Sequence, residues 1–94
     1  MTLKIKFIGA LRHISGKTQL TLPFEADVTV KAVVDKLGLQ IPGLKHTFCS
    51  QELNDARSNS LILVNGKEIS VLNGYETQLC DGDEVVFVPV VHGG

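Results

Sequence analysis

The sequence has 94 residues, 44% of them hydrophobic, 20% charged and 5% aromatic, with no Trp. That describes one domain, spanning 1–94, with an aliphatic core, and it excludes a disordered or fibrous chain. Nine Lys and Arg against ten Asp and Glu leave a formal charge of -1. There is no basic run to grip a phosphate backbone and no apolar run of bilayer length, so neither direct nucleic-acid binding nor a membrane location is expected.

Leu3, Ile5 and Phe7 alternate with Lys4 and Lys6, which predicts a strand with one wet face. The stretch from Arg12 to Lys17 reads as a turn or loop. Leu20, Leu22 and Phe24 resume the alternation, so the two segments should form a hairpin, with Pro23 at an edge position or strand end. At Thr29 the period changes. Val30, Val33, Val34 and Leu37 repeat at helical spacing, with Thr29 as N-cap and Gly38 where a helix end favours a left-handed residue. Three valines weaken the intrinsic helix propensity, so packing on a sheet must hold this segment. Residues 45–60 show the least periodicity.

Leu61 to Val64 is a continuous apolar run suited to an interior strand. Asn65-Gly66 is a strong hairpin signal, and Lys67 to Ile69 returns briefly. Asn73-Gly74 and Asp81-Gly82 punctuate the chain before a last strand from Val85 to Val91. Pro89 there lacks an N–H, which suggests an edge or a strand leaving the sheet. The order β-β-α-β-β-β implies a mixed or antiparallel α+β sheet with one face covered by the helix and the other partly open. That open face is either a docking surface or an ordinary wet one.

The charge is unevenly placed. The first 23 residues hold Lys4, Lys6, Arg12 and Lys17 without an acid, whereas Glu68, Glu76, Asp81, Asp83 and Glu84 face no Lys or Arg up to the C-terminus. The acidic end suits a basic protein partner or is a solvated surface. His13, His46, His92, Cys49 and Cys80 lack metal-ligand spacing, so no metal site is expected. Cys49 with His46 lacks the orienting acid and oxyanion donors that a nucleophile needs. The N-terminus does not resemble a signal segment, and two cysteines make no disulfide framework, so a cytoplasmic protein with reduced thiols is expected.

The informative feature is the end, Val88-Pro89-Val90-Val91-His92-Gly93-Gly94. Two residues without Cβ can thread a narrow channel in an extended form, with a carboxylate projecting from a strand. A frayed terminus is the simpler reading of the same residues.

Asp81-Gly82-Asp83-Glu84-Val85, followed by Phe87-Val88-Pro89-Val90 and Gly93-Gly94, resembles the end of MoaD/ThiS-type sulfur carriers. His92-Gly93-Gly94 with Asn65-Gly66, Tyr75 and Leu79 is also similar to the ubiquitin-related modifier branch and its archaeal small-modifier relatives. The resemblance implies a ubiquitin-like β-grasp fold, a mixed sheet of four to five strands on one main helix. It also implies that an adenylyltransferase of the ubiquitin-activating type, using ATP and Mg²⁺, would adenylate the carboxylate of Gly94. A sulfur donor would then convert it to a thiocarboxylate.

In that reading the carrier binds no cofactor itself. Gly93, His92 and Val91 would thread the tail, and the stretch from Phe87 through Pro89 to His92 would touch the partner, with Leu61, Leu63 and Phe87 placed either at that contact or in the core. The sulfur would serve molybdopterin synthesis beside a large synthase subunit, thiazole formation or tRNA thiolation. Conjugation of Gly94 to protein lysines is the alternative. A β-grasp domain that only binds partners is the rival of another class.

Overall fold

The computed structural model describes residues 1–25, 27–44 and 60–89. The N-terminal alternation forms β1 (Thr2–Phe7), with Leu3, Ile5 and Phe7 at most 1% exposed. β2 (Gln19–Pro23) returns antiparallel to it and sets Leu22 opposite Leu3 and Leu20 opposite Ile5, so both strands turn the same apolar face inward. Between them the expected loop is instead a short helix, α1 (Leu11–Ser15). Leu11 is its only buried residue, and Gly16 closes it at φ +75°, its N–H donating to the Arg12 carbonyl at 2.9 Å. A single turn with one anchor offers no repeat for periodicity to reveal.

The next segment follows the predicted start. Thr29 Oγ1 accepts from the Ala32 N–H at 3.3 Å and caps α2 (Val30–Gln40). Val30, Val33, Val34 and Leu37 are buried against the sheet. The helix does not end at Gly38 as expected. It continues to Gln40 because the stop comes from Pro42, whose ring disfavours the helical region for Ile41 (φ -129°, ψ 88°). Leu44 then enters the core at 0% exposure. The aperiodic stretch, with His46 and Cys49, lies outside the described residues.

β4 (Ser60–Val64) and β5 (Lys67–Glu68) are joined by Asn65 and Gly66 at φ 51° and 88°, the doubly positive turn that the Asn-Gly pair predicts. Two 3-10 turns, Ile69–Val71 and Gly74–Glu76, carry the chain around. β3 (Val28–Thr29) and β6 (Gln78–Leu79), too short to be legible as strands, pair antiparallel beside the helix start. β7 (Glu84–Pro89) completes the main sheet, whose order is β2-β1-β7-β4-β5.

β7 runs parallel to β1 and antiparallel to β4, which makes the five-stranded sheet mixed, with α2 and the core on one face. Pro23 stands on an edge strand as expected. Of the two readings of Pro89, the edge is corrected, because β7 is the central strand, while a place at the strand's end agrees with its bounds. Proline is tolerated there because it ends the strand, where no further ladder donor is needed.

Candidate functional site

β7 carries the chain toward Gly93-Gly94 from the middle of the sheet. Its register is fixed on both sides, with Phe7 beside Phe87 in β1 and Leu61 opposite Val88 in β4. The Ile8 N–H extends the ladder to the Phe87 carbonyl at 3.0 Å. Gly9, at φ +59°, then lets the backbone pass close to Pro89; a Cβ on Gly9 would lie 3.1 Å from Pro89 Cγ. The last described residue of β7 is thus set by pairing with Ser60 and by the Gly9 turn. Val90, Val91, His92, Gly93 and Gly94 lie outside the described residues.

Strand alternation sorts the predicted contact residues into two groups. Phe87 points to the helix side, is 0% exposed and stacks on Phe7 with centroids 5.9 Å apart. Of the two places open to it from the sequence, the partner contact is corrected and the core is what the structure gives. Leu61 and Leu63 point to the uncovered face, Leu61 43% exposed and Leu63 half-buried. Pro89 is half-buried at the strand end.

The same parity adds Val86 and Ile8, which the sequence reading missed, and sets Val88, which that reading included among the contacts, on the same face. Val88 lies opposite Leu61, Val86 lies opposite Leu63, and Ile8 is 45% exposed one step past β1. Together these form an apolar strip on the uncovered face that runs toward the Pro89 end of β7. The signal was present in the sequence: both β4 and β7 are apolar at consecutive positions, while its helical period predicts one main helix to cover them.

The charges around the strip are largely engaged. Glu84 pairs with Lys6 across the sheet at 2.9 Å. Asp81 Oδ1 accepts from the Thr2 N–H at 2.7 Å, and this hydrogen bond holds its carboxyl below the usual carboxylate range. Asp83 accepts from the Cys80 N–H at 2.7 Å and from the Asn65 side chain at 3.0 Å. The Glu68 carboxyl is also held low, first by the Ser70 hydroxyl and then by the Ser70 N–H. Four of the five acids from Glu68 onward therefore pin turns or strands. This weakens the reading of that region as a free acidic surface for a basic partner.

The Asp81–Glu84 stretch is a strand-initiating turn, as expected, with Gly82 at φ +86°. Cys80 is an exposed free thiol. Among the described residues no group of His, Cys, Asp and Glu could hold a metal ion, and no helix is long and apolar enough to cross a membrane.

A mixed sheet over one main helix, with the central strand leading to a Gly-Gly end and an apolar strip on the uncovered face, defines a ubiquitin-like β-grasp protein. The comparisons make this specific. The ThiS family model matches residues 5–94, and the chain belongs to that family. It is 31% identical to small archaeal modifier protein 3 of Haloferax volcanii, with 100% of each chain covered. It is 28% identical to ubiquitin-related modifier 1 of Schizosaccharomyces pombe, again over 100% of each. Among solved structures it resembles the small archaeal modifier protein 1 of Methanosarcina acetivorans, at 33% identity and a TM-score of 0.81, over 99% of this chain and 96% of that one.

Proposed function

We propose that this chain is a sulfur carrier that reacts through the carboxylate of Gly94. The observation that carries the reading is the placement of Gly93-Gly94 after a central strand anchored on both sides. A terminus meant for another protein's active site needs a fixed root and a narrow end. β7 supplies the first, and two residues without Cβ supply the second.

In the proposed reaction an adenylyltransferase binds ATP and Mg²⁺ and docks the strip of Leu61, Leu63, Val86, Val88 and Ile8, with Pro89 at its rim. Val91, His92 and Gly93 lie along the channel. A Gly94 carboxylate oxygen attacks the α-phosphorus of ATP, and pyrophosphate leaves. The terminal sulfur of a persulfide donor then attacks the acyl carbon and expels AMP. A thiol cleaves the resulting acyl disulfide and leaves the thiocarboxylate on Gly94. The carrier contributes position, and the enzyme supplies the charge stabilisation. The buried Phe87 acts in this only by holding β7 straight.

The decisive experiment is intact mass after incubation with the activating enzyme, ATP and a sulfur donor. The expected result is a gain equal to the exchange of one oxygen for sulfur, localised to Gly94. A chain lacking Gly93 and Gly94 should fold but show no ATP–pyrophosphate exchange; undiminished exchange by that truncation overturns the proposal. The relatives that are named as modifiers favour a second reading, in which the same activated Gly94 acylates a lysine amine of a target protein. Isopeptide adducts at Gly94 without any thiocarboxylate would make that reading the primary one.

A further inference from the structure

We propose that the free edge of β2 is a second docking site, which takes an extended acidic segment of a partner protein as an added strand. Among the described residues β2 is the terminal strand of the main sheet and pairs only with β1. The ladder shows which of its backbone groups are unused. Met1 and Phe24 exchange both hydrogen bonds, at 2.9 and 2.7 Å, and the Phe7 N–H donates to the Thr18 carbonyl at 2.9 Å. Antiparallel pairs alternate between bonded and non-bonded. Leu20 and Leu22 therefore bond inward to β1, while Gln19, Thr21 and Pro23 turn their backbone groups outward.

Pro23 has no N–H to offer, and its carbonyl already accepts from Lys36 Nζ at 2.9 Å. The template is thus the N–H and C=O of Gln19 and of Thr21. An added strand that pairs there sends alternate side chains toward the helix side, where a shallow depression is lined by Pro23, Phe24, Glu25 and Lys36. Lys36 lies 4.6 Å from the centre of the half-buried Phe24 ring, so the depression offers an apolar floor with a cation on it.

The charge around the edge selects the occupant. Lys4 stands directly across from Thr21 in the register, Lys17 precedes the strand and Lys36 flanks its end. Among the described residues neither Lys4 nor Lys17 makes an ion pair, and Lys6, opposite Gln19, is already neutralised by Glu84. Among the described residues Glu25 is the one acid lining the depression. A second copy of this chain would repeat the same unpaired lysines across the seam, so self-pairing is disfavoured. A segment with apolar residues at alternate positions and acids at its ends complements the edge in both hydrogen bonding and charge. The site involves neither Gly93-Gly94 nor the open-face strip.

The test uses the acetylated, amidated nonapeptide Glu-Asp-Val-Thr-Ile-Thr-Val-Asp-Glu and nitrogen–proton correlation spectra of the isotope-labelled full chain. Saturable shifts should centre on the amides of Gln19 and Thr21 and persist unchanged after removal of Gly93-Gly94. Lys36→Glu should weaken binding at least about fivefold and Glu25→Lys should strengthen it, since an interfacial charge reversal changes the pair's sign. Thr21→Pro removes an outward N–H in the same phase as Pro23, so the pairing with β1 survives while peptide binding is lost. No shift at millimolar peptide overturns the proposal. So do shifts confined to Leu61, Leu63 and Val86, equal binding by a peptide with lysines in place of its acids, or a concentration-dependent dimer formed through β2 without peptide.

Discussion

On the helix side of the sheet Ile62, Val64, Val85 and Phe87 are 3%, 6%, 0% and 0% exposed; one residue along, on the other side, Leu61 is 43% exposed and Leu63, Val86 and Val88 are only half-buried. The two sets are made of the same kinds of side chain from the same two strands. What separates them is α2, which covers one face and leaves the other to solvent. A single surface leucine needs no explanation, but a row of aligned aliphatic residues uncovered by the chain's own helix points to a partner. The contrast divides the apolar residues of β4 and β7 into those that make the fold and those available for recognition.

Substitutions on the two sides should separate accordingly. The largest effect is expected from Phe87→Ala. It removes a ring that stacks on Phe7 in a fully buried site and should cost about 3–5 kcal/mol in urea denaturation. A loss under about 1 kcal/mol, within the range of ordinary substitutions, would remove Phe87 from the core and break the contrast.

A smaller effect belongs to the helix that creates it. Thr29→Ala deletes the Oγ1 acceptor for the Ala32 N–H and should cost about 1 kcal/mol, measured the same way. The apolar strip should then show the opposite signature. Leu61→Asp should change stability by no more than about 0.5 kcal/mol, as exposed positions usually do, while adenylation by the activating enzyme falls sharply. A folded Leu61→Asp chain that is adenylated at the parental rate would leave the strip without the proposed role.

How far the sequence could disclose this division depended on the length of each pattern. β1 and α2 were legible because several residues repeat at one period, and Asn65-Gly66 because its turn demands positive φ at both positions. α1, with Leu11 as its only anchor, and the two-residue strands β3 and β6 carry too little repeat to be read. The central position of β7 was hidden for another reason. Pro89 fits an edge strand and the end of an interior strand equally well, and nothing in the sequence chooses between them.

The uncovered face was legible as an idea, but its residues were not, because consecutive apolar positions do not reveal which parity the helix covers. The sequence therefore leaves Phe87 between partner contact and core, which the register decides for the core, and it gives no sign of Val86. Gly93 and Gly94 stood out by composition and position alone, which is why the proposed reacting group could be named from the sequence while its docking surface needed the register.

The smallest expected effect lies at the opposite end of β7, where turns rather than packing hold the strand. Asp81 accepts from the Thr2 N–H, the Gly82 N–H returns to the Thr2 carbonyl at 2.8 Å, and the Lys4 N–H reaches the Asp83 carbonyl at 2.9 Å. This clasp fixes the start of β7 against β1 and so sets the parity that exposes Val86 and Val88. The Thr2 N–H lowers the folded-state pKa of Asp81, so its ionised form stabilises the fold above the unfolded pKa. That contribution disappears as pH falls through the depressed folded value.

Glu68 titrates in the same acid window for a similar reason, so the measurement compares Asp81→Asn with the parent at each pH rather than reading one slope. Melting temperatures should differ slightly at neutral pH and converge in acid, because the parent's Asp81 is then neutral too. A difference that persists undiminished after full protonation would assign the clasp to the shape of the turn rather than to the charge on Asp81. The register of the uncovered strip would then be independent of pH.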